Sequence, residues 1–178
     1  MFGGHWLAIA VGQDTITLFS RLVDQVAIAM YTFHATIHAL ATDAMPREPV
    51  QLANTSYAAL TVPTEKLAAT TFSCTFEEAG ERLAGLDRIY CEPDGSFVWV
   101  SSQNAPRWQV DGNLYDRTER LLFIDIKGSC PEEEFDRFLA CFGWPEQPIM
   151  FQLVREAVLL NEAEFRRWAI RACPRAQD

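Results

Sequence analysis

The sequence predicts an α+β fold, a mainly antiparallel sheet packed by helices, with an additional N-terminal amphipathic helix. Three observations predict it. Leu121 to Ile126 is an apolar, β-compatible run. Thr75 with Glu78 and Ser129 with Glu132 each read as a capping box that opens an apolar stripe of helical spacing. Pro93-Asp94-Gly95 separates two short strand-like runs, a hairpin signal.

Taken in order, Leu18 to Leu40 fits a helix with Phe19, Leu22, Val26, Met30, Phe33, Ile37 and Leu40 on one stripe. That stripe needs a partner surface, either the domain that follows or a second copy, unless residues 1–44 form an appendage. Residues 45–69 have the Pro-containing, polar composition of a linker. The core domain is expected over 70–173, with a tail at 174–178. Within it Thr70 to Cys74 is a short β-compatible run, and the helix after Thr75 buries Phe76, Ala79 and Leu83 and ends at Gly85. Strands follow at Arg88 to Glu92 and Ser96 to Ser101. The next starts at Arg107 and continues through a bulge or kink at Gly112 to a turn at Asp116 to Glu119.

On the strand at 121–126, Leu122, Ile124 and Ile126 are expected on one face, and Leu121, Phe123 and Asp125 on the other. Gly128 permits a sharp bend, and the next helix begins near Cys130 with Phe135, Phe138, Leu139 and Phe142 on its buried side. Gly143 ends it. Ile149 to Val154 reads as a strand, with a helical spacing also satisfied across MFQLVREAVLL. Asn161 with Glu164 caps a last helix whose stripe is Phe165, Trp168, Ala169 and Ala172. No internal repeat is visible.

The formal charge of −9 and pI near 4.8 disfavour broad coating of nucleic acid. Arg166, Arg167, Arg171 and Arg175 are expected on a solvated face of the last helix. Five cysteines without a Cys-x-x-Cys favour a reduced, cytoplasmic setting, and no basic residue precedes the first apolar run as a secretory leader would require. Gln25 to Thr42 is uncharged, yet His34, His38 and its threonines argue against a membrane span.

Chemistry-bearing residues are few. His34 and His38 at i, i+4 can reach one metal from a helix, with His5 or Asp43 as the nearest third ligand, or can simply be solvated. Cys130, placed at a helix start, is the cysteine whose pKa that position would lower. Asp125 and Lys127 leave the same strand face, where they can converge on one ligand or pair with each other.

With Asp111 in WQVDG and the pair in FIDIKG, the order helix, three strands, helix, strand resembles the core of the PD-(D/E)xK nuclease superfamily. About half of the chain carries the resemblance. It implies Asp111 and Asp125 as Mg²⁺ ligands and Lys127 as the assisting cation in phosphodiester hydrolysis. It also suggests Glu78 or Glu81 and Gln152 as auxiliary residues. The chain departs from the motif by placing Val110 where the family has proline, and by the turn-like Asp111-Gly112-Asn113. In general shape a small acidic helix-and-sheet domain also resembles secretion-type chaperones. The functional expectation is a non-enzymatic interaction module, without a cofactor, binding a protein partner or itself through Trp108, Tyr115 and Trp144. The alternative is the Mg²⁺-dependent nuclease or its inactive descendant, for which nucleic acid would be the substrate.

Overall fold

The computed structural model of the chain describes residues 29–171. Among them are nine strands: β1 Met30–Ala39, β2 Met45–Leu52, β3 Thr55–Thr61, β4 Ile89–Cys91, β5 Ser96–Val100, β6 Gln109–Arg117, β7 Arg120–Pro131, β8 Ile149–Leu153 and β9 Val158–Asn161. The helices are α1 Thr64–Leu67, α2 Phe76–Ala84, α3 Glu132–Ala140 and α4 Glu162–Arg171. All nine strands join one sheet in the order β2-β3-β9-β8-β1-β7-β6-β5-β4, and every pairing is antiparallel. The α+β expectation holds.

The largest correction is β1. Residues 30–39 form the middle strand of the sheet, not the second half of a helix or an appendage; the expected helix over 18–28 lies outside the described residues. The segment reads MYTFHATIHA, and its apolar residues also fall at period two. Tyr31, Phe33, Ala35, Ile37 and Ala39 are all buried, while threonine and histidine alternate with them. β-Branched Thr32 and Thr36 favour that extended form, and pairing on both sides outweighs the helical spacing.

The linker-like segment is a second correction, since 45–61 is the β2-β3 hairpin. Its prolines, Pro46 and Pro49, mark an outer edge strand rather than a linker. The ladder of β2 is broken between Arg47 and Val50, and an edge tolerates a residue that cannot donate. Thr70 to Cys74 is no sheet strand. It leans on the start of β7, with Phe72 N–H donating to the Leu121 carbonyl at 2.8 Å.

The capping box of α2 forms as expected, Glu78 N–H donating to Thr75 Oγ1 at 3.1 Å and Thr75 N–H to the Glu78 carboxylate at 2.9 Å. The one expected at Ser129 does not. Pairing of Tyr31 with Cys130 and Met30 with Pro131 holds the backbone extended, so α3 starts at Glu132 with Pro131 as its uncapped first neighbour. Gly128 is therefore inside β7. Its φ is +143°, and a Cβ there would meet the Gln109 carbonyl oxygen at 2.0 Å, so the glycine serves close strand approach. β6 runs continuously through Gly112, and the irregularity falls between Tyr115 and Asp116 instead. The extra residue opposite it is Leu122, which turns Leu121 onto the buried face with Ile124 and Ile126. Asn161 caps α4 through Glu164 N–H at 2.9 Å; before it, the stretch after β8 is a turn and a further strand, β9.

Helices α2, α3 and α4 bury their stripes on one side of the sheet. Phe135 lies at the centre, with ring centroids at 5.4 Å from Tyr31, 5.3 Å from Phe33, 5.8 Å from Phe165 and 6.1 Å from Phe151. Phe165 in turn stacks on Phe151 at 3.8 Å. Both helices open with Glu-x-Glu-Phe-x-Arg-aromatic, a short local repeat that sets Phe135 and Phe165 face to face. Arg166 is not on a solvated face. It binds Asp136 at 2.5 Å and Glu162, and lies over the Tyr31, Phe135 and Trp144 rings, tying α4 to α3.

Truncating Phe135→Ala empties the middle of this cluster and should cost about 3–5 kcal/mol, whereas Phe123→Ala, on the half-buried opposite face, should cost about half as much or less. Urea unfolding of the two variants checks the order; equal losses would mean that the core does not centre on the helix side.

Candidate functional site

On the sheet face opposite α2, α3 and α4, strand alternation and register define rows of side chains. Tyr115, Phe123, His38 and Met150 form one row across β6, β7, β1 and β8. Asn113, Asp125, Thr36 and Gln152 form the next. Val98, Asp111, Lys127 and His34 form a third across β5, β6, β7 and β1. No described helix of eight residues or more packs on this face.

The first row is aromatic and apolar. Phe123 lies between Tyr115, stacked on it at 4.5 Å, and His38, tilted at 5.6 Å. Tyr115 is 40% exposed, whereas His38 is 6% exposed and Met150 fully buried. Neither imidazole nitrogen of His38 makes a well-formed hydrogen bond. Burial pulls its pKa down to about 4, only partly offset by the neighbouring Gln152 amide. In the second row, one carboxylate oxygen of Asp125 and the amide oxygen of Asn113 are shielded from solvent without a hydrogen-bond donor. Unsatisfied polar atoms of this kind are costly in an interior.

The residues singled out in the sequence fall as follows. Asp111 and Asp125 do share this face as diagonal neighbours on β6 and β7, Asp111 standing opposite Lys127 and Asp125 opposite Asn113. Asp111 is exposed and accepts from the Gln109 side-chain amide at 2.7 Å. Gln152 stands in the Asp125 row, with Thr36 between them. Glu78 is engaged in the α2 cap, and Glu81 is exposed on that helix. Among the described residues no three His, Cys, Asp or Glu side chains gather as a metal site. His34 and His38, four residues apart on a strand, are about 13 Å apart along it and cannot share an ion. Asp43 pairs with Lys66 at 3.4 Å, and His5 lies outside the described residues. Cys130 is a buried strand residue, and burial pushes its thiol pKa far up rather than down.

Of the aromatic candidates Tyr115 alone is exposed. Trp108 is 8% exposed, edge-on to Trp99 at 4.8 Å, and half-buried Trp144 sits beneath the Arg166 guanidinium at 5.2 Å. The place of His38 beside Phe123 was not legible, because the strand period of β1 was masked by its helical spacing.

No protein-family model, curated protein or solved structure matches the chain. Among the described residues no helix is long and apolar enough to cross a membrane.

The His38 geometry sets a pH dependence. Above about pH 6.5 the imidazole is neutral folded or unfolded; below it the unfolded chain takes a proton that the folded one refuses until about pH 4. Stability held at neutral pH is therefore lost as pH falls from about 6.5 to 4, by up to about 3 kcal/mol. Urea unfolding against pH should show that loss in the wild type and a shallower one in His38→Gln; an imidazole that titrates near 6.5 by NMR would contradict it.

Proposed function

We propose that the protein is a non-catalytic interaction module that receives a protein partner on the sheet face opposite its helices. The observation that carries this reading is exposed Tyr115 stacked on half-buried Phe123, at the end of a row whose other members, His38 and Met150, are buried, on a face without a described long helix. Tyr115 and Phe123 are stacked and so lose little side-chain freedom on binding, which suits them as anchors. The fitting partner brings apolar side chains to cover Tyr115 and Phe123; a second copy of the chain is one such partner.

A second reading keeps a specific support. Asp111 and Asp125 stand on one face as diagonal neighbours, with Lys127 opposite Asp111, which supports the nuclease resemblance. Two carboxylates with water are enough to hold Mg²⁺. The first reading is favoured because Asp111 is already engaged by Gln109 and the row beside the pair is apolar.

A photo-crosslinking residue in place of Tyr115 should give a discrete cross-linked product in cells, and one in place of exposed Glu133 on α3 should not. Equal yields at the two positions would contradict the assignment of the face. Calorimetry with Mg²⁺ or Mn²⁺ should show no one-site binding at millimolar metal; a single site lost in Asp125→Asn would instead favour the second reading.

A further inference from the structure

The geometry points to a binding site for an acidic peptide in extended form, in the notch where β8 ends short of β1. This rests on the reading of the protein as an interaction module and names the chemistry of the partner at one end of its sheet.

The notch follows from the register. Pairing of β1 with β8 begins at Ala35 and Leu153, and the last contact before it is Val154 N–H donating to the His34 carbonyl at 3.2 Å. On β1 alternate residues point their backbone groups to the same side. Thr32 therefore directs its N–H and carbonyl to the side where β8 would continue, while the chain turns away at residues 154–157. In the middle of the sheet, β1 thus keeps a short edge that no described residue pairs with. Free edges of this kind take an added strand, whose main chain provides affinity and whose alternate side chains provide specificity.

The surroundings select for negative charge. The cleft, about 610 Å³, is lined by Thr32, His34, Lys127, Ser129, Arg155 and Trp168, with Glu156 as its one acid. Among the described residues most cationic side chains are engaged, for example Arg166 with Asp136, Arg167 with Glu164, Arg137 with Glu134 and Arg120 with the Ser73 carbonyl. Lys127 and Arg155 are in no such hydrogen bond or ion pair, nor is Arg107, which lines the adjoining cleft together with Asp111, the residue opposite Lys127. In a chain of formal charge −9, free cations meeting at an open strand edge are a local reversal of sign. Trp168 offers an aromatic wall to the other side chains of the added strand, so alternating acidic and apolar residues fit.

Fluorescence anisotropy of the full chain tests this with a labelled Glu-Val-Glu-Val-Glu-Gly peptide, its Lys-Val counterpart and a backbone N-methylated version of the acidic peptide. The acidic peptide should bind, and Arg155→Glu or Lys127→Glu should weaken it about ten-fold. The N-methylated peptide should bind at least as poorly, because its missing N–H groups cannot complete the edge. Thermal melts of both exposed-site variants should match the wild type. Equal binding of the acidic and Lys-Val peptides, no effect of either reversal, or full affinity of the N-methylated peptide would overturn the site; the last outcome would leave only a cation patch that inorganic phosphate displaces. If no peptide binds while the Tyr115 cross-link persists, the notch assignment alone falls. If both fail, the interaction reading falls with it.

Discussion

The pairing of β1 on both of its edges is the constraint on which the rest of this structure depends. It lies between β8 and β7, so it joins a four-stranded half, β2-β3-β9-β8, to another, β7-β6-β5-β4. Each half is otherwise held mostly by hairpins close in sequence, whereas β1 meets residues 85 or more positions away. Closing such distant contacts costs chain entropy, and burial of Tyr31, Phe33, Ala35 and Ile37 offsets it on the helix side. Phe135 and Phe165 then lock over the strand from α3 and α4, and Arg166 crosses between those helices. Removing β1 would leave two smaller sheets with no common core.

The same strand creates the surface assigned to binding. Its alternation sends one set of residues into the aromatic cluster and the other, Thr32, His34, Thr36 and His38, to the opposite face. Because β1 is longer than β8, the described ladder between them stops short of the end of β1 and leaves a notch. Fold and candidate site are therefore one consequence of strand length and register. The aromatic row and the cation-lined notch sit at different points along β1, which would let a partner make both an apolar and a charged contact.

Much of the second half was legible in the sequence. The α2 cap, the β4-β5 hairpin, the long apolar strand at 121–126, the buried stripe of α3 and the Asn161 cap all have local causes, and local causes are written in adjacent residues. The first half was not, since its structure depends on distant pairing. MYTFHATIHA satisfies helical and strand spacing alike, and only β7 and β8 decide between them. Pro46 and Pro49 mark either a linker or an edge strand until β3 is known to lie beside them. Of the site, the shared strand face of Asp125 and Lys127 was readable, whereas the place of Asp111 opposite Lys127 depends on the register of β6 with β7. The row through Phe123, His38 and Met150 was not, because it crosses three strands whose order no short motif specifies.

NMR of the backbone around β1 tests the central claim most directly. His34 and Thr36 stand opposite Lys127 and Asp125 at positions whose backbone groups point away from β7, so their α-protons should give strong cross-strand contacts to those partners. Contacts between Thr36 and Asp125, with slow amide exchange at Phe33, Ala35 and Ile37, are the predicted result. Sequential helical contacts through residues 30–39, without any contact to β7, would contradict the account.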